Sequence, residues 1–569
     1  MRFRAQGRIL NHHVPVKNVP KILLAVLFLL WMLPGLIGRD PWKADEPYSF
    51  GIVHHIMQTW DMVVPSVAGL PFLEKPPLYY LSAALSGSLF SSLLAPHDAV
   101  RLVNIAWMFL TLLFLALTTQ EIAGADAAWT APVILMGCTL LQMPAHKTIT
   151  DVALLTGFSA SYFGLAISRR RPGWGGFWSG TGLGIGFLAK GLLAPGVIAA
   201  TALTLPLLFP AWRRKAYARA LGVAVIAALP WLVIWPAALF LRSRGYFMEW
   251  FWYQNLGRFL GFARAGSGDS HWFYLLNLTW LAFPVLPLAL WTLWSFRRQM
   301  REHAVYELPL ASLLVLFGVL SASSSNRELY ALPLLLPMAV MAAAGTERLP
   351  DRITGSIHRT ITVLFGLLGL ALWLIWLARI SGHPVLARQL PLSTVHYRPL
   401  DVLLLGSAVL ITALWLAGVK RLFRQNVPFP LSWAAGMMFA WGLAMTLWLP
   451  WFEGQTSYRD VFTSFREKLP DQYQCVASYG IGESERAMLE YYSGVQVRPL
   501  EFETAVPCDL LLVGLDRDRI DTASSHNWHI LWEGIRPPEL PKDHFTLYHL
   551  STRPGQHPQP LSSDMIRLK

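Results

Sequence analysis

Charge is what this chain has least of. Only 14% of its 569 residues are Asp, Glu, Lys or Arg, against 54% hydrophobic, and so few charges exclude an ordinary water-soluble enzyme of this length. Cysteine is scarcer still. Three cysteines with no Cys-X-X-Cys spacing exclude a disulfide framework and an obvious zinc site. Cys138 sits in an apolar run and reads as packing, whereas Cys475 and Cys508 fall in a polar C-terminal stretch and can pair if that stretch is extracytoplasmic. No internal repeat is visible. No convincing small-residue cleavage site follows the first apolar run, 22–37, so that run reads as an uncleaved span.

What fills the chain instead is apolar runs long enough to cross a bilayer. After 22–37 they recur at 100–117, 127–143, 152–167, 176–189, 192–209, 221–241, 273–296, 308–322, 329–344, 361–380, 402–419 and 431–450, roughly thirteen spans. The net charge of +13 suits nucleic acid in principle, but the Lys and Arg lie in short clusters between apolar runs. That is a membrane-topology pattern, and nucleic acid is set aside. Arg2, Arg4, Arg8, Lys17 and Lys21 precede the first span and put the N-terminus in the cytoplasm. One further apolar segment, 78–94, is ambiguous. If it does not cross, then Arg169 to Arg171, Arg213 to Lys215, Arg297 with Arg298, Arg348 with Arg352, and Lys420 with Arg421 all fall in the cytoplasm. It is therefore read as a juxtamembrane or re-entrant helix.

This reading puts Asp45, Glu46, Glu74, Lys75, Asp151, the long loop 242–272 and the segment 326–330 on the outer face, with everything after residue 451. From residue 454 the composition turns polar. Short β-rich runs ("YQCVASY", "DLLLVG", "WHILWEG", "FTLYHLS") alternate with helical patterns around "DVFTSFREKL" and "SERAMLEYY". We therefore expect a transmembrane domain over 1–453 with periplasmic loops 39–99 and 242–272, a small α/β domain over 454–552, and a Pro-rich disordered tail over 553–569.

Ionisable residues beside hydrocarbon are costly, and their position is a functional hypothesis by default. The first loop, "GRDPWKADEPYSF" and "PFLEKPPLYY", offers Asp45 as a base or orienting carboxylate, beside Glu46 and Tyr48; a solvated acidic turn is equally open. In the same loop Glu74 and Lys75, stiffened by Pro76 and Pro77 ahead of Tyr79, suit a cation and a phosphate or are an ordinary loop. Asp151 opens an apolar run, where a helix cap is the commoner role. Lys190, inside "GFLAKGLLAP", either snorkels or binds an anion, with the anion slightly favoured. In "WFWYQNLGRFLGFARAGSGDSHWFY", Arg258 and Arg264 suit a phosphate and the rings a sugar face or lipid, at even odds with a plain aromatic belt. His271 is a lone histidine, more often not a metal ligand.

Taken in order, the first loop, Asp151, "AKG", the aromatic-arginine loop and "SSSNRELYALPLLLP" resemble the polyprenyl-phosphate-sugar-dependent glycosyltransferases of the GT-C fold. Within these the chain looks most like the bacterial lipid A aminoarabinose transferases and their protein O-mannosyltransferase relatives. The resemblance implies an α-helical polytopic membrane protein of about 13 transmembrane helices with a small C-terminal α/β periplasmic domain. It implies an enzyme of the bacterial inner membrane, C-terminus periplasmic, probing a polyprenyl-phosphate-linked sugar donor and a lipid or glycan acceptor, with inversion at the anomeric carbon. By the resemblance, Asp45 and Asp151 are the catalytic aspartates. Glu46, Tyr48, Glu74, Lys75, Tyr79, Lys190, Arg258, Arg264, Arg327 and Tyr330 line the substrates, and a divalent cation would take Glu74 with His271. A monomer is expected. Two departures stand out: the family's Asp-Glu-X-Arg-Tyr reads Asp45-Glu46-Pro47-Tyr48-Ser49 here, and Ser267 falls near the position of a histidine, with His271 displaced. From a different class, a lipid or solute transporter is the competing reading, though such proteins carry charges or broken helices near the midplane and often show inverted halves.

Overall fold

The computed structural model describes residues 21–257, 260, 272–297, 306–323, 326–346, 349, 351–382, 399–422, 429–502, 506–514, 528–536 and 544–550. Among these, five helices are long and apolar enough to cross a membrane, and eight if each of three bent helix pairs counts as one span. Several expected spans are broken. The run 127–143 divides into Ala125–Met136 and Thr139–His146, bent by 76°, and 273–296 divides into Phe273–Leu281 and Val285–Phe296, bent by 100°. The second break falls at Pro284, which has no N–H to continue the ladder. Broken backbone in an apolar setting must find partners, and the first break supplies them to the second. The Thr139 N–H donates to the Phe283 carbonyl at 3.2 Å, and its hydroxyl reaches the Trp280 and Leu281 carbonyls.

The segment 78–94 forms the helix Leu78–Phe90, whose 13 residues span about 20 Å at the α-helical rise, short of a hydrocarbon core. Its outer face exposes Leu85, Leu89 and Phe90. The expected thirteen crossings are thus a finer count than the helix lengths alone give.

Two neighbouring helices, Asp151–Ile167 and Pro172–Lys190, form an antiparallel hairpin joined by a tight basic turn. Small residues let their backbones touch. A Cβ on Gly164 would lie 2.3 Å from the Ser179 nitrogen, and one on Gly180 would lie 2.1 Å from the Ala224 carbonyl of the next helix, Lys215–Arg242. Hairpin geometry then fixes the chemistry at its ends. The first residue of one helix, Asp151, meets the last residue of the other, Lys190. At the far end Arg170 pairs with Glu121 at 2.9 Å, and Trp212 donates to Glu307 at 2.6 Å.

Near the first loop, strands β1 (Ser66–Val67) and β2 (Leu70–Pro71) make a small antiparallel hairpin. The C-terminal region holds a five-stranded sheet of β3 (Val476–Tyr479), β4 (Val497–Pro499), β5 (Leu510–Val513), β6 (Trp528–Ile535) and β7 (His544–Leu550), in the order β4-β3-β5-β7-β6. β3 runs parallel to β4 and β5, while β7 is antiparallel to β5 and β6. The four β-rich runs read from the sequence are strands β3, β5, β6 and β7; β4 is too short to have been visible. Helices Arg459–Glu467 and Glu483–Ser493 pack against each other beside this sheet. Helix Leu449–Thr456 runs through the boundary expected at 453/454. Cys475 and Cys508, at the starts of β3 and β5, are joined in a disulfide, and the expected tail 553–569 lies outside the described residues.

Candidate active site

Asp45 stands at the cap of helix Glu46–Thr59, where the chain leaves the first loop. Its Oδ1 accepts from the Tyr48 hydroxyl at 3.0 Å, one helical turn on, and from Arg327 Nη1 at 3.2 Å. Tyr48 in turn accepts from Lys75 Nζ at 2.6 Å, and Lys75 lies 3.7 Å from Glu74. The path Lys75–Tyr48–Asp45–Arg327 therefore joins three segments far apart in sequence. Alongside it, Lys190 is ion-paired with Asp151 and stands over the ring of Tyr330 at 4.5 Å. The two groups are one constellation, since the Tyr330 under Lys190 lies in the same turn as Arg327, its N–H donating to the Arg327 carbonyl at 3.1 Å.

Local structure explains why these groups meet. Arg327 and Tyr330 sit at the start of the 3₁₀ turn Glu328–Leu334, and the Tyr274 hydroxyl donates to the Arg327 carbonyl at 3.3 Å, which fixes the turn's entry. Lys190 ends its helix because Gly191 follows at φ +75°, a left-handed conformation that glycine adopts at no steric cost. A Cβ there would also strike Asn255 Oδ1 at 2.1 Å, the atom that accepts from the Leu192 N–H.

Electrostatics favours ionised groups. Burial alone would raise the Asp45 carboxyl, but the charges of Lys75 and Arg327, the Tyr48 hydrogen bond and the more distant Lys190 outweigh it and hold it below the ordinary aspartate value. Burial would lower the Lys75 ammonium, yet Tyr48, Glu74, Tyr80 and Asp45 around it lift it well above the ordinary lysine value. Burial raises the Tyr48 phenol well above 10, so Tyr48 stays a neutral bridge.

Two residues expected to bind substrate are occupied elsewhere. Glu46 is fully buried, and its oxygens take Arg39 at 2.6 and 3.0 Å, Arg101 at 2.8 Å, and the N–H groups of Trp42 and Thr148 at 3.0 and 3.1 Å. No lone pair is left for a ligand. Glu46 is an anchor beneath the site: it ties the first loop to the segment that leads into Asp151. Tyr79 is likewise buried, its hydroxyl donating to Asn104 at 2.8 Å, while Asn104 holds the Ala145 and Lys147 carbonyls. The adjacent Tyr80 points about 100° away from Tyr79 and is also fully buried, and burial raises its phenol against the opposing charge of Lys75. Arg258, Arg264 and His271 lie outside the described residues. Among the described residues no group of three His, Cys, Asp or Glu side chains is arranged to hold a metal ion. Glu74, with the Lys75 ammonium beside it, is poorly placed to take a cation without His271.

Residues 74–235 match the family described as dolichyl-phosphate-mannose-protein mannosyltransferase. The chain is 29% identical over 454 residues to the undecaprenyl phosphate-alpha-4-amino-4-deoxy-L-arabinose arabinosyl transferase of Pseudomonas aeruginosa strain UCBPP-PA14, covering 75% of this chain and 74% of that protein. It is 28% identical over 360 residues to the enzyme of the same name from Serratia proteamaculans, with 61% and 63% covered. The crystal structure of ArnT from Cupriavidus metallidurans bound to undecaprenyl phosphate superposes with a TM-score of 0.67 at 17% identity, over 94% of this chain and 98% of that one. This chain has the ArnT fold. The apo form of the same ArnT agrees, with a TM-score of 0.67 and 16% identity. The resemblance read from the sequence, to GT-C transferases that use sugars on undecaprenyl phosphate, therefore holds, and the first-loop cluster belongs to an ArnT-like helical scaffold.

Proposed function

We propose that this protein is an inverting glycosyltransferase that moves a monosaccharide from undecaprenyl phosphate to lipid A or another envelope acceptor at the periplasmic face of the bacterial inner membrane. The observation that carries this reading is the single constellation of Asp45, Tyr48, Lys75, Arg327, Asp151, Lys190 and Tyr330 at one end of the helical bundle. It has the two things the reaction needs, a carboxylate for the incoming nucleophile and cations for a departing phosphate.

In the proposed reaction the acceptor group attacks the anomeric carbon from the face opposite the phosphate. The new bond forms as the carbon–oxygen bond to phosphate breaks, its electron pair leaves on undecaprenyl phosphate, and the acceptor's proton passes to a carboxylate. Asp45 is held acidic and so ionised at neutral pH. It is a weak base, so its main contribution is to orient the nucleophile, with proton transfer late. Lys75 and Arg327 neutralise charge growing on the phosphate. Asp151 with Lys190 forms a second carboxylate–cation pole, and Tyr330 offers a ring to the sugar or the lysine. Should a divalent cation join Glu74, it would screen the same phosphate.

The finer architecture follows the same reading: about thirteen crossings, the N-terminus cytoplasmic, a transmembrane domain to about residue 453, and the α/β domain periplasmic, which suits the Cys475–Cys508 disulfide. The protein acts as a monomer. A transporter would need charges near the midplane, whereas this constellation sits at helix ends. The test is turnover in membranes carrying the full chain, with undecaprenyl phosphate-α-4-amino-4-deoxy-L-arabinose as donor and lipid A as acceptor. Wild type is expected to transfer the sugar and Asp45→Asn to lose it. Equal turnover by both would sink the assignment of Asp45, and mass spectrometry of lipid A and surface glycans from a deletion strain would name the sugar.

A further inference from the structure

Residues 40–44, which lead directly into Asp45, are gripped from one side by the C-terminal region. Arg459 closes on the Asp40 carboxylate with both ends of its guanidinium, the Nε contact at 3.0 Å, and the Ser457 hydroxyl donates to the same carboxylate. Glu453 accepts from the Asp40 N–H at 3.0 Å and from the Trp42 indole at 2.6 Å. Farther along, Lys43 pairs with Glu485 at 2.8 Å, and the Ser484 hydroxyl donates to the Ala44 carbonyl at 3.0 Å. Ala44 is the residue before Asp45. These contacts come from helices Leu449–Thr456 and Arg459–Glu467 and from the N-terminal end of Glu483–Ser493, the helix that packs on β1 and on Glu46–Thr59.

We propose that the C-terminal α/β region positions the catalytic carboxylate, with Glu485 and Ser484 as positioning residues that set the placement of Asp45 through Lys43 and Ala44. The proposal rests on the reading of Asp45 given above. From below, the segment is fixed by the buried Arg39–Glu46–Arg101 network; from above, by Glu485, Ser484 and Arg459. The Asp45 side chain meets only Tyr48 and Arg327 among the described residues, partners that a substrate would rearrange. Its carbonyl accepts from the Ser49 N–H at 3.3 Å, so its backbone is placed by the helix it caps on one side and by residues 40–44 on the other. A displacement there would alter the transition state, while the grip on the donor phosphate by Lys75 and Arg327, which are held from other segments, would persist.

The Lys43–Glu485 pair allows a swap, because both side chains retain solvent contact (33% and 12% exposed). Full-length chain in membranes would be assayed with undecaprenyl phosphate-α-4-amino-4-deoxy-L-arabinose and lipid A as Lys43→Glu, as Glu485→Lys and as the double swap, with Asp45→Asn alongside. Each single change is expected to lower kcat roughly tenfold or more, with donor KM within about twofold and the melting temperature near wild type. The swapped pair is expected to recover most of kcat, since the Tyr458 hydroxyl, which donates to Glu485 at 3.0 Å, can turn to accept from a lysine. Ser484→Ala is expected to show the same split more weakly. Single variants at wild-type kcat, beside an inactive Asp45→Asn, would overturn the positioning role alone. A double swap no better than the singles would overturn it as well. Wild-type turnover by Asp45→Asn would overturn the reading of Asp45 and, with it, this inference.

Discussion

Asp45 and Glu46 are neighbours in the chain and opposites in circumstance. Glu46 has no exposed surface and two arginines plus two backbone N–H groups on its oxygens. Asp45 keeps 14% of its side chain open and meets a phenol and one arginine, itself 41% exposed. Both carboxyls are held below their ordinary values, Glu46 by Arg39 and Arg101 against the opposing effect of burial, Asp45 by Lys75 and Arg327 against the same effect. A shifted pKa therefore does not separate anchor from reagent. Spare hydrogen-bonding capacity does. The saturated carboxylate holds the loop, and the unsaturated one, with cations that a phosphate could recruit, is free to do chemistry.

The comparison breaks most visibly if the two carboxylates respond alike to loss of charge. Asp45→Asn should cost roughly 10²–10⁴ in turnover with little change in melting. Glu46→Gln should do the reverse, destabilising the fold by about 3–5 kcal/mol because the buried Arg39 loses its carboxylate partner and Arg101 keeps only Asp98, at 2.8 Å; thermal melting of the purified protein reads this. Lys75→Ala should lower kcat by roughly 10²–10³ if its charge acts on the leaving phosphate, measured in the same assay.

Smaller effects sharpen the contrast. Arg327 is one of the charges that keep Asp45 acidic, so in Arg327→Ala burial is less opposed and the carboxylate takes up its proton at higher pH. The acid limb of the kcat profile, which in wild type should begin only below the ordinary aspartate value of 3.8, is expected to move up; an unmoved limb would separate Arg327 from Asp45. At the periphery, Cys475→Ser opens a loop with a sequence separation of 33, which in the chain-entropy account is worth about 3–4 kcal/mol. That loss should fall on unfolding of the C-terminal region in denaturant, with turnover at 25 °C almost unchanged.

Much of this was legible in the sequence, and the failures have physical reasons. Asp45, Lys75, Asp151 and Lys190 stood out because each is a charge stranded beside apolar runs, and the structure gathers them at one end of the helical bundle. The four longer C-terminal strands announced themselves by dense apolar content between polar turns. The breaks at 137–138 and 282–284 did not, since hydropathy reports burial in lipid and is blind to one broken helix whose Thr139 caps the carbonyls of another. Glu46 misled for the same reason that Asp45 informed: sequence marks an expensive carboxylate but not whether arginines 7 and 55 residues away have already claimed it. That Tyr79 is buried with its hydroxyl on Asn104, 25 residues on, was equally out of reach of the sequence. The grip on 40–44 by residues above 450 was out of reach, because contacts separated by more than 400 positions leave no periodic trace.

The central claim, that Asp45 acts in chemistry while Glu46 only holds the fold, is tested most directly by measuring turnover and melting together for Asp45→Asn and Glu46→Gln in the same membrane preparation. The account predicts a folded, inactive Asp45→Asn and a destabilised Glu46→Gln whose surviving folded fraction retains turnover. An Asp45→Asn that transfers sugar at the wild-type rate, or a Glu46→Gln that melts as wild type does yet is inactive, would contradict it.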